Sequence, residues 1–117
     1  MTTYILPPTR FADAAAVSAV GSHEYAVNVH PDYSYGPAGH GGFLFALLWR
    51  AIAAHFNTTL RKYAQPDTIA LHIEFLRPAA TGEARVHVKD VRLGKTSCMV
   101  HISLVQGKTE RVVGYAT

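Results

Sequence analysis

The chain has 117 residues, 49% hydrophobic and 16% charged, a balance that suits a single globular domain, residues 1–117, with a small core. Its formal charge of +3 comes from eleven Lys and Arg scattered from Arg10 to Arg111, so nothing in the pattern supports a nucleic-acid partner, while a small phosphate-bearing ligand stays compatible. Cys98 is the one cysteine, which rules out an intrachain disulfide and any cysteine-based zinc spacing.

The opening MTTYILPPTR lacks an apolar core of signal-peptide length, and the longest apolar run, Phe43 to Trp49, is far too short to span a bilayer. The expectation is a soluble, cytoplasmic protein in which Cys98 is a buried, reduced thiol. SHEYAVNV, residues 22–29, alternates as a strand does. HPDYSYGPAGHGG, residues 30–42, carries two prolines and four glycines without periodicity and reads as a long loop.

From Gly42, the residues Phe43, Leu44, Leu47, Leu48, Ala51, Ile52 and Phe56 follow helical spacing. The expected central helix covers about residues 42–60, frays at Asn57-Thr58-Thr59 and, being apolar almost all round, is largely buried. Four antiparallel strands are expected over residues 66–117. The first, Thr68 to Leu76, places Ile69, Leu71, Ile73 and Phe75 on one parity. In the second, Ala84, Val86 and Val88 alternate with Arg85, His87 and Lys89; in the third, Cys98, Val100, Ile102 and Leu104 oppose Ser97, Met99, His101 and Ser103. Turn signals at 80–82, 93–95 and 106–108 separate them, and Glu110 to Thr117 is the last. One apolar helix and a run of half-apolar strands bury one another if the sheet wraps the helix, which gives the class α+β.

That layout, with HGG at residues 40–42 opening the helix, resembles the hotdog fold of acyl-CoA thioesterases and dehydratases. Two further stretches narrow the likeness. His72 followed by Phe75-Leu76-Arg77-Pro78, and the hairpin Gly94-Lys95-Thr96-Ser97, resemble the N-terminal half of type II, double-hotdog acyl-CoA thioesterases, over roughly Tyr25 to Thr117. In that family each polypeptide usually carries two hotdog repeats, and the resemblance accounts for the first. It implies an acyl-CoA or acyl-carrier thioester as substrate, coenzyme A entering only as part of it, no other cofactor, no metal, and a homodimer or a second hotdog repeat as partner.

Thioester hydrolysis requires a polarised carbonyl, a base or nucleophile, and a slot for the acyl chain. Backbone N–H groups at a helix N-terminus stabilise a developing oxyanion, so Gly41 and Gly42 are the expected donors and His40 a positioning group. Glycine leaves room for substrate there; the plainer alternative is that it only permits a tight turn against the sheet. Single-hotdog thioesterases resembling this pattern carry a carboxylate seven residues after the second glycine, where this chain has Trp49. Double-hotdog enzymes carry their catalytic set mostly in the second repeat. Asp32, with His30 close by, is the local candidate base. Tyr33, Tyr35 and Phe43 are candidates for an acyl channel, and Arg77, with Lys95 and Arg61, for the phosphates of coenzyme A.

Other chemistry is weaker on its face. His72, His87 and His101 share the polar parity of three strands expected to be neighbours, but so do Glu74, Arg85, Lys89 and Ser103, as on an ordinary wet face. Ser97 and Cys98 have no identifiable partner base, and Asp67, after Pro66, reads as a strand start. Two alternatives stay open: a non-catalytic acyl-binding or structural hotdog half, favoured by Trp49, and a dehydratase or hydratase using His40 with Asp32.

Overall fold

The apolar repeat from Phe43 to Phe56 closes into one helix in the computed structural model, which describes residues 10–117. Residues 1–9, most of the opening stretch without a signal-peptide core, lie outside the described residues. In chain order the elements are α1 (Phe11–Ala14), β1 (Ser18–Ala19), β2 (Glu24–Val29), a 3-10 turn (Pro31–Tyr33), β3 (Ser34–Tyr35), β4 (Ala38–Gly39), α2 (Gly41–Asn57), a second 3-10 turn (Arg61–Tyr63), β5 (Leu71–Phe75), β6 (Gly82–Arg92), β7 (Met99–Gln106) and β8 (Thr109–Ala116).

The helix opens at Gly41 and stops at Asn57, short of residue 60. Its end has a local cause: the Asn57 amide and the Thr58 hydroxyl both donate back to the carbonyls of Ala53 and Ala54 at 2.7 Å, and such short polar side chains compete with the next helical turn. Ala64 then takes a left-handed conformation, φ 52°, and redirects the chain toward the sheet.

Six antiparallel strands form one sheet in the order β1-β2-β6-β7-β8-β5, and α2 packs on its inner face. Leu47, Leu48, Ala51 and Ile52 of the helix meet Val86, Val100, Ile102, Leu104 and Val112 of the sheet, all essentially without solvent contact. Along β6 the expected alternation holds, with Ala84, Val86 and Val88 buried and Arg85, His87 and Lys89 exposed. Cys98 is buried, as expected of an unreactive thiol. This is the hotdog arrangement of an α+β protein.

Three expectations change. The helix is not covered all round, because a single sheet shields one side only: Phe45 is 39% and Trp49 52% exposed. The strand after the helix does not lead by a tight turn to a neighbour; β5 pairs with β8, the last strand, and forms one end of the sheet. An edge strand is half-covered, so Leu71 and Ile73 are half-buried while Ile69 and Phe75 of the same parity are exposed. His72 and His101 consequently stand on either side of Tyr115 of β8 in the ladder, and His87 lies opposite Ser103. The three histidines do not converge: His72 hydrogen-bonds Glu74, His87 faces Glu24, and His101 packs edge-on to Tyr115.

Gly114 is required where β8 meets β5. A Cβ there would overlap the His72 carbonyl oxygen and lie 2.9 Å from a methyl of Ile73. The segment between β5 and β6, which has to cross the end of the sheet, fastens instead to the loop before α2: Gly39 N–H donates to the Ala79 carbonyl at 2.8 Å and Thr81 N–H to the Pro37 carbonyl at 3.0 Å.

Candidate functional site

The loop before α2 is more structured than its composition indicates. His30 Nδ1 accepts from Asp32 N–H at 3.1 Å and the His30 carbonyl accepts from the Ser34 hydroxyl at 2.8 Å, which fixes the Pro31–Tyr33 turn. The two-residue strands β3 and β4 then pair around a turn whose tip, Gly36, has φ 57°. Gly39 lets the chain press onto the core, since a Cβ would stand 2.6 Å from a Val29 methyl. These contacts deliver His40 as the helix cap.

In front of the helix lies an open groove of about 450 Å³ lined by Asp32, Tyr33, Ser34, Tyr35, His40, Gly42 and Phe43. Six residues expected to form the site therefore come together. Tyr33 stacks on Phe43 with ring centres 4.9 Å apart and planes 10° from parallel, making one apolar wall. Tyr35, 75% exposed, stands 5.3 Å from the His40 ring on the outer rim. Gly41 sits beside the groove, where a Cβ would touch the Phe75 ring at 3.4 Å, so the HGG and FLRP stretches are neighbours in space. Arg77 is not in the groove: it is exposed, and its guanidinium donates to the Glu110 carbonyl at 2.9 Å. Arg61 and Lys95 line other, separate depressions.

The donors at the helix start are partly occupied. Gly42 N–H donates to His40 Nδ1 at 3.0 Å, and Leu44 N–H to the His40 carbonyl at 3.0 Å. Among the described residues, the N–H groups of Gly41 and Phe43 take part in no hydrogen bond. No acidic residue lies in the first turn, so the positive end of the helix dipole is not offset there. Positive φ occurs at Gly36, Gly82 and Gly107 but at neither Gly41 nor Gly42, so the backbone conformation does not itself demand glycine at the helix start.

Candidate bases and nucleophiles are placed as follows. Trp49 is exposed, and its indole N–H donates to the Thr68 hydroxyl at 3.2 Å. The Asp32 carboxylate, 37% exposed, is 3.7 Å from His30 Nδ1. Ser97 accepts from Arg92 at 2.8 Å, and the Cys98 thiol points at the Gly94 carbonyl. Asp67 lines a separate cavity of about 220 Å³ beside Ile52, Phe56 and Thr96, and β5 begins only at Leu71.

One polar cluster was not foreseen. His55, fully buried on the inward side of α2, hydrogen-bonds Tyr25 Oη through Nδ1 at 3.0 Å and Asp90 Oδ1 through Nε2 at 2.9 Å. The other oxygen of Asp90 lies 2.7 Å from His23 Nε2, and His23 Nδ1 is 2.8 Å from the Ser22 hydroxyl. Burial pushes the Asp90 carboxyl up, but the hydrogen bonds and charges of His23 and His55 outweigh it and hold its pKa below the ordinary value. The available signal was the helical repeat, in which His55 follows Leu48 and Ala51 by seven and four residues onto the buried face.

Comparison with known proteins identifies the family. A sequence profile of the family described as acyl-CoA thioesterase N-terminal domain matches residues 29–117. A thioesterase-like protein of Talaromyces wortmannii, TwmA, is 33% identical over 97 residues, covering 83% of this chain and 27% of its own length. A crystal structure from Thermobifida fusca, described as a thioesterase II, superposes with TM-score 0.78 at 30% identity over 92% of this chain and 38% of its own. A phenylacetic acid degradation-related thioesterase structure from Ralstonia eutropha has TM-score 0.74 and 25% identity, covering 86% of this chain and 80% of its own. The chain thus spans about a quarter of the curated relative and well under half of the Thermobifida structure, but most of the Ralstonia one. With a family profile spanning most of the sequence and hotdog thioesterase folds superposing on nearly all of it, the chain belongs to the acyl-CoA thioesterase N-terminal domain family.

Proposed function

We propose that the chain is one hotdog half of a cytoplasmic acyl thioester hydrolase, holding the thioester carbonyl of an acyl-CoA or acyl-carrier substrate in the groove before α2. The observation that carries this is the convergence of Asp32, Tyr33, Tyr35, His40, Gly42 and Phe43 on one groove at a helix start with unpaired N–H groups. His40 Nδ1 occupies the position of an acceptor in front of Gly42 N–H. The thioester oxygen displaces this exposed ring and receives hydrogen bonds from the helix start, where developing negative charge is stabilised by oriented N–H groups and the dipole. The Tyr33–Phe43 wall takes the proximal acyl carbons, and Gly41 contributes its N–H. Asp32 removes a proton from the attacking water as its oxygen bonds to the carbonyl carbon; the C–S bond then breaks, and the departing thiolate of the pantetheine arm takes that proton back from Asp32. Arg77 lies outside the groove and contacts the coenzyme only where the substrate extends across β5.

A second hotdog, supplied by a homodimer or another repeat, completes the site. The support is uncovered apolar surface: β5 stands at one end of the sheet, and Phe45 and Trp49 of the helix, Ile69 just before β5 and Phe75 at its end are exposed. A non-catalytic acyl-binding half is the second reading, favoured because Trp49, not a carboxylate, stands on the helix where single-hotdog enzymes carry one. Free-thiol release from short, medium and long acyl-CoA substrates decides between them. Turnover lost in Gly42→Pro, which removes the N–H, and in Asp32→Asn supports the hydrolase. A folded dimer without turnover that still binds acyl-CoA supports the binding half.

A further inference from the structure

At the other end of α2, the ligating atoms of His55 on the helix, Asp90 on β6 and His23 in the bend just before β2 all lie within 4.8 Å of one another. His55 follows His40 by fifteen residues, so the cluster stands about 22 Å along the helix from the groove. It therefore takes no direct part in thioester chemistry. His55 has no exposed side-chain surface, Asp90 has 20% and His23 40%, so the cluster is half-buried and meets solvent on the His23 side.

Two imidazoles and one carboxylate form a donor set suited to a first-row divalent cation, with a fourth position for water. The outer partners suit it as well. Each ring has a hydroxyl on Nδ1, Tyr25 for His55 and Ser22 for His23, and a hydroxyl oxygen accepts an Nδ1 proton as readily as it donates to a bare Nδ1. In the metal-free chain each Nε2–H donates to the carboxylate, which as an ionised group only accepts. Cation entry requires each Nε2 to give up its proton, with Nδ1 carrying the remaining ring proton, so that both Nε2 lone pairs are free. Zinc bonds of about 2.0–2.2 Å at tetrahedral angles separate ligand atoms by about 3.3 Å. His23 Nε2 lies 2.7 Å from one Asp90 oxygen and His55 Nε2 2.9 Å from the other, and all ligating atoms lie within 4.8 Å of one another, so side-chain rotations that bring both nitrogens onto one cation would complete the set. We propose that His23, His55 and Asp90 form a zinc site that clamps the end of α2 to the start of β2 and the far end of β6.

The test is Zn²⁺ titration of the purified, chelator-treated protein by calorimetry and by competition with a chromophoric chelator, with Co²⁺ absorption as a report on geometry. The variants are His23→Ala, which leaves the His55–Asp90 pair intact and so keeps the fold, and His101→Ala, which lies outside the cluster. The expected result is one Zn²⁺ per chain, a tetrahedral Co²⁺ spectrum, and a rise in Tm of several degrees with excess metal. His23→Ala then binds at least about 10-fold more weakly and loses the spectrum, while His101→Ala binds as the parent does. No saturable binding at micromolar Zn²⁺, or equal binding by the parent and His23→Ala, overturns the assignment. Loss of binding in His101→Ala moves the metal to the outer sheet face and overturns it too.

Discussion

Gly42→Ala separates a glycine kept for substrate from one kept for the turn. The φ of Gly42 is not positive, so alanine is conformationally allowed, and a methyl there meets only the exposed His40 ring, 3.2 Å from Cε1 and 3.3 Å from Nδ1. Replacing a helical glycine by alanine gains about 0.5–1 kcal/mol, and disturbing a side-chain cap costs a similar amount, so the stability change is within about 0.5 kcal/mol. For a domain of this size that shifts Tm by no more than about 3 °C. The position taken by His40 Nδ1 is the one proposed for the thioester oxygen, and donors act from about 2.7–3.1 Å in the transition state. A methyl crowding that position displaces the carbonyl by several tenths of an ångström, and misplacement approaching 1 Å costs on the order of 100-fold. The expected outcome is a Tm within about 3 °C of the parent with kcat/KM for acyl-CoA down about 10-fold or more. An S-(2-oxoalkyl) analogue of coenzyme A, which keeps the carbonyl but resists hydrolysis, binds correspondingly more weakly by calorimetry. Unchanged turnover and analogue affinity in a folded variant would refute the reasoning, because the glycine would then serve the turn alone.

Gly114→Val drives a side chain into the β5 backbone, and hydrogen exchange should show the amides of Leu71–Phe75 losing protection while β6 and β7 keep theirs, because the clash is confined to the β8–β5 ladder. Leu47→Ala removes a fully buried side chain between helix and sheet and should cost about 2–5 kcal/mol by urea unfolding. Asp90→Ala leaves the buried His55 ring without its acceptor and should cost about 2–3 kcal/mol in chelator-treated protein, whereas Asp13→Ala, on an exposed turn of α1, should stay within about 0.5 kcal/mol. Phe75→Glu puts a charge on the uncovered surface beside β5; light scattering coupled to size exclusion should report a shift from dimer to monomer, and an unchanged mass would place the partner surface elsewhere.

Much of the groove's lining was legible because its signals are local. HGG before an apolar repeat marks a helix start, and the turn residues from Pro31 to Gly39 mark the loop that feeds it, so the residues lining the groove were near one another in sequence as well as in space. Arg77 was a candidate for the coenzyme phosphates on its charge, yet its guanidinium donates to the Glu110 carbonyl, since charge alone does not specify where a long side chain on an edge segment finds an acceptor. The 3-10 turn and the β3–β4 hairpin inside the loop were missed because His30 and Gly39 act through contacts with Asp32 and Val29 that periodicity does not register.

Hydrophobic period, turn residues and the glycine-histidine junction by themselves determined the α+β class, a central helix, its start, and the alternation of the long strands, because each depends on residues within about ten positions of one another. Strand order was a tertiary decision. Both edges of β6 are taken by β2 and β7; β5 pairs with β8, where Gly114 permits close approach, and residues 79–81 are fastened to the loop before α2. The same long-range assembly exposed Phe45, Trp49 and Phe75 along one side and brought His23, His55 and Asp90 together across 67 positions of sequence, a convergence that no local spacing encodes.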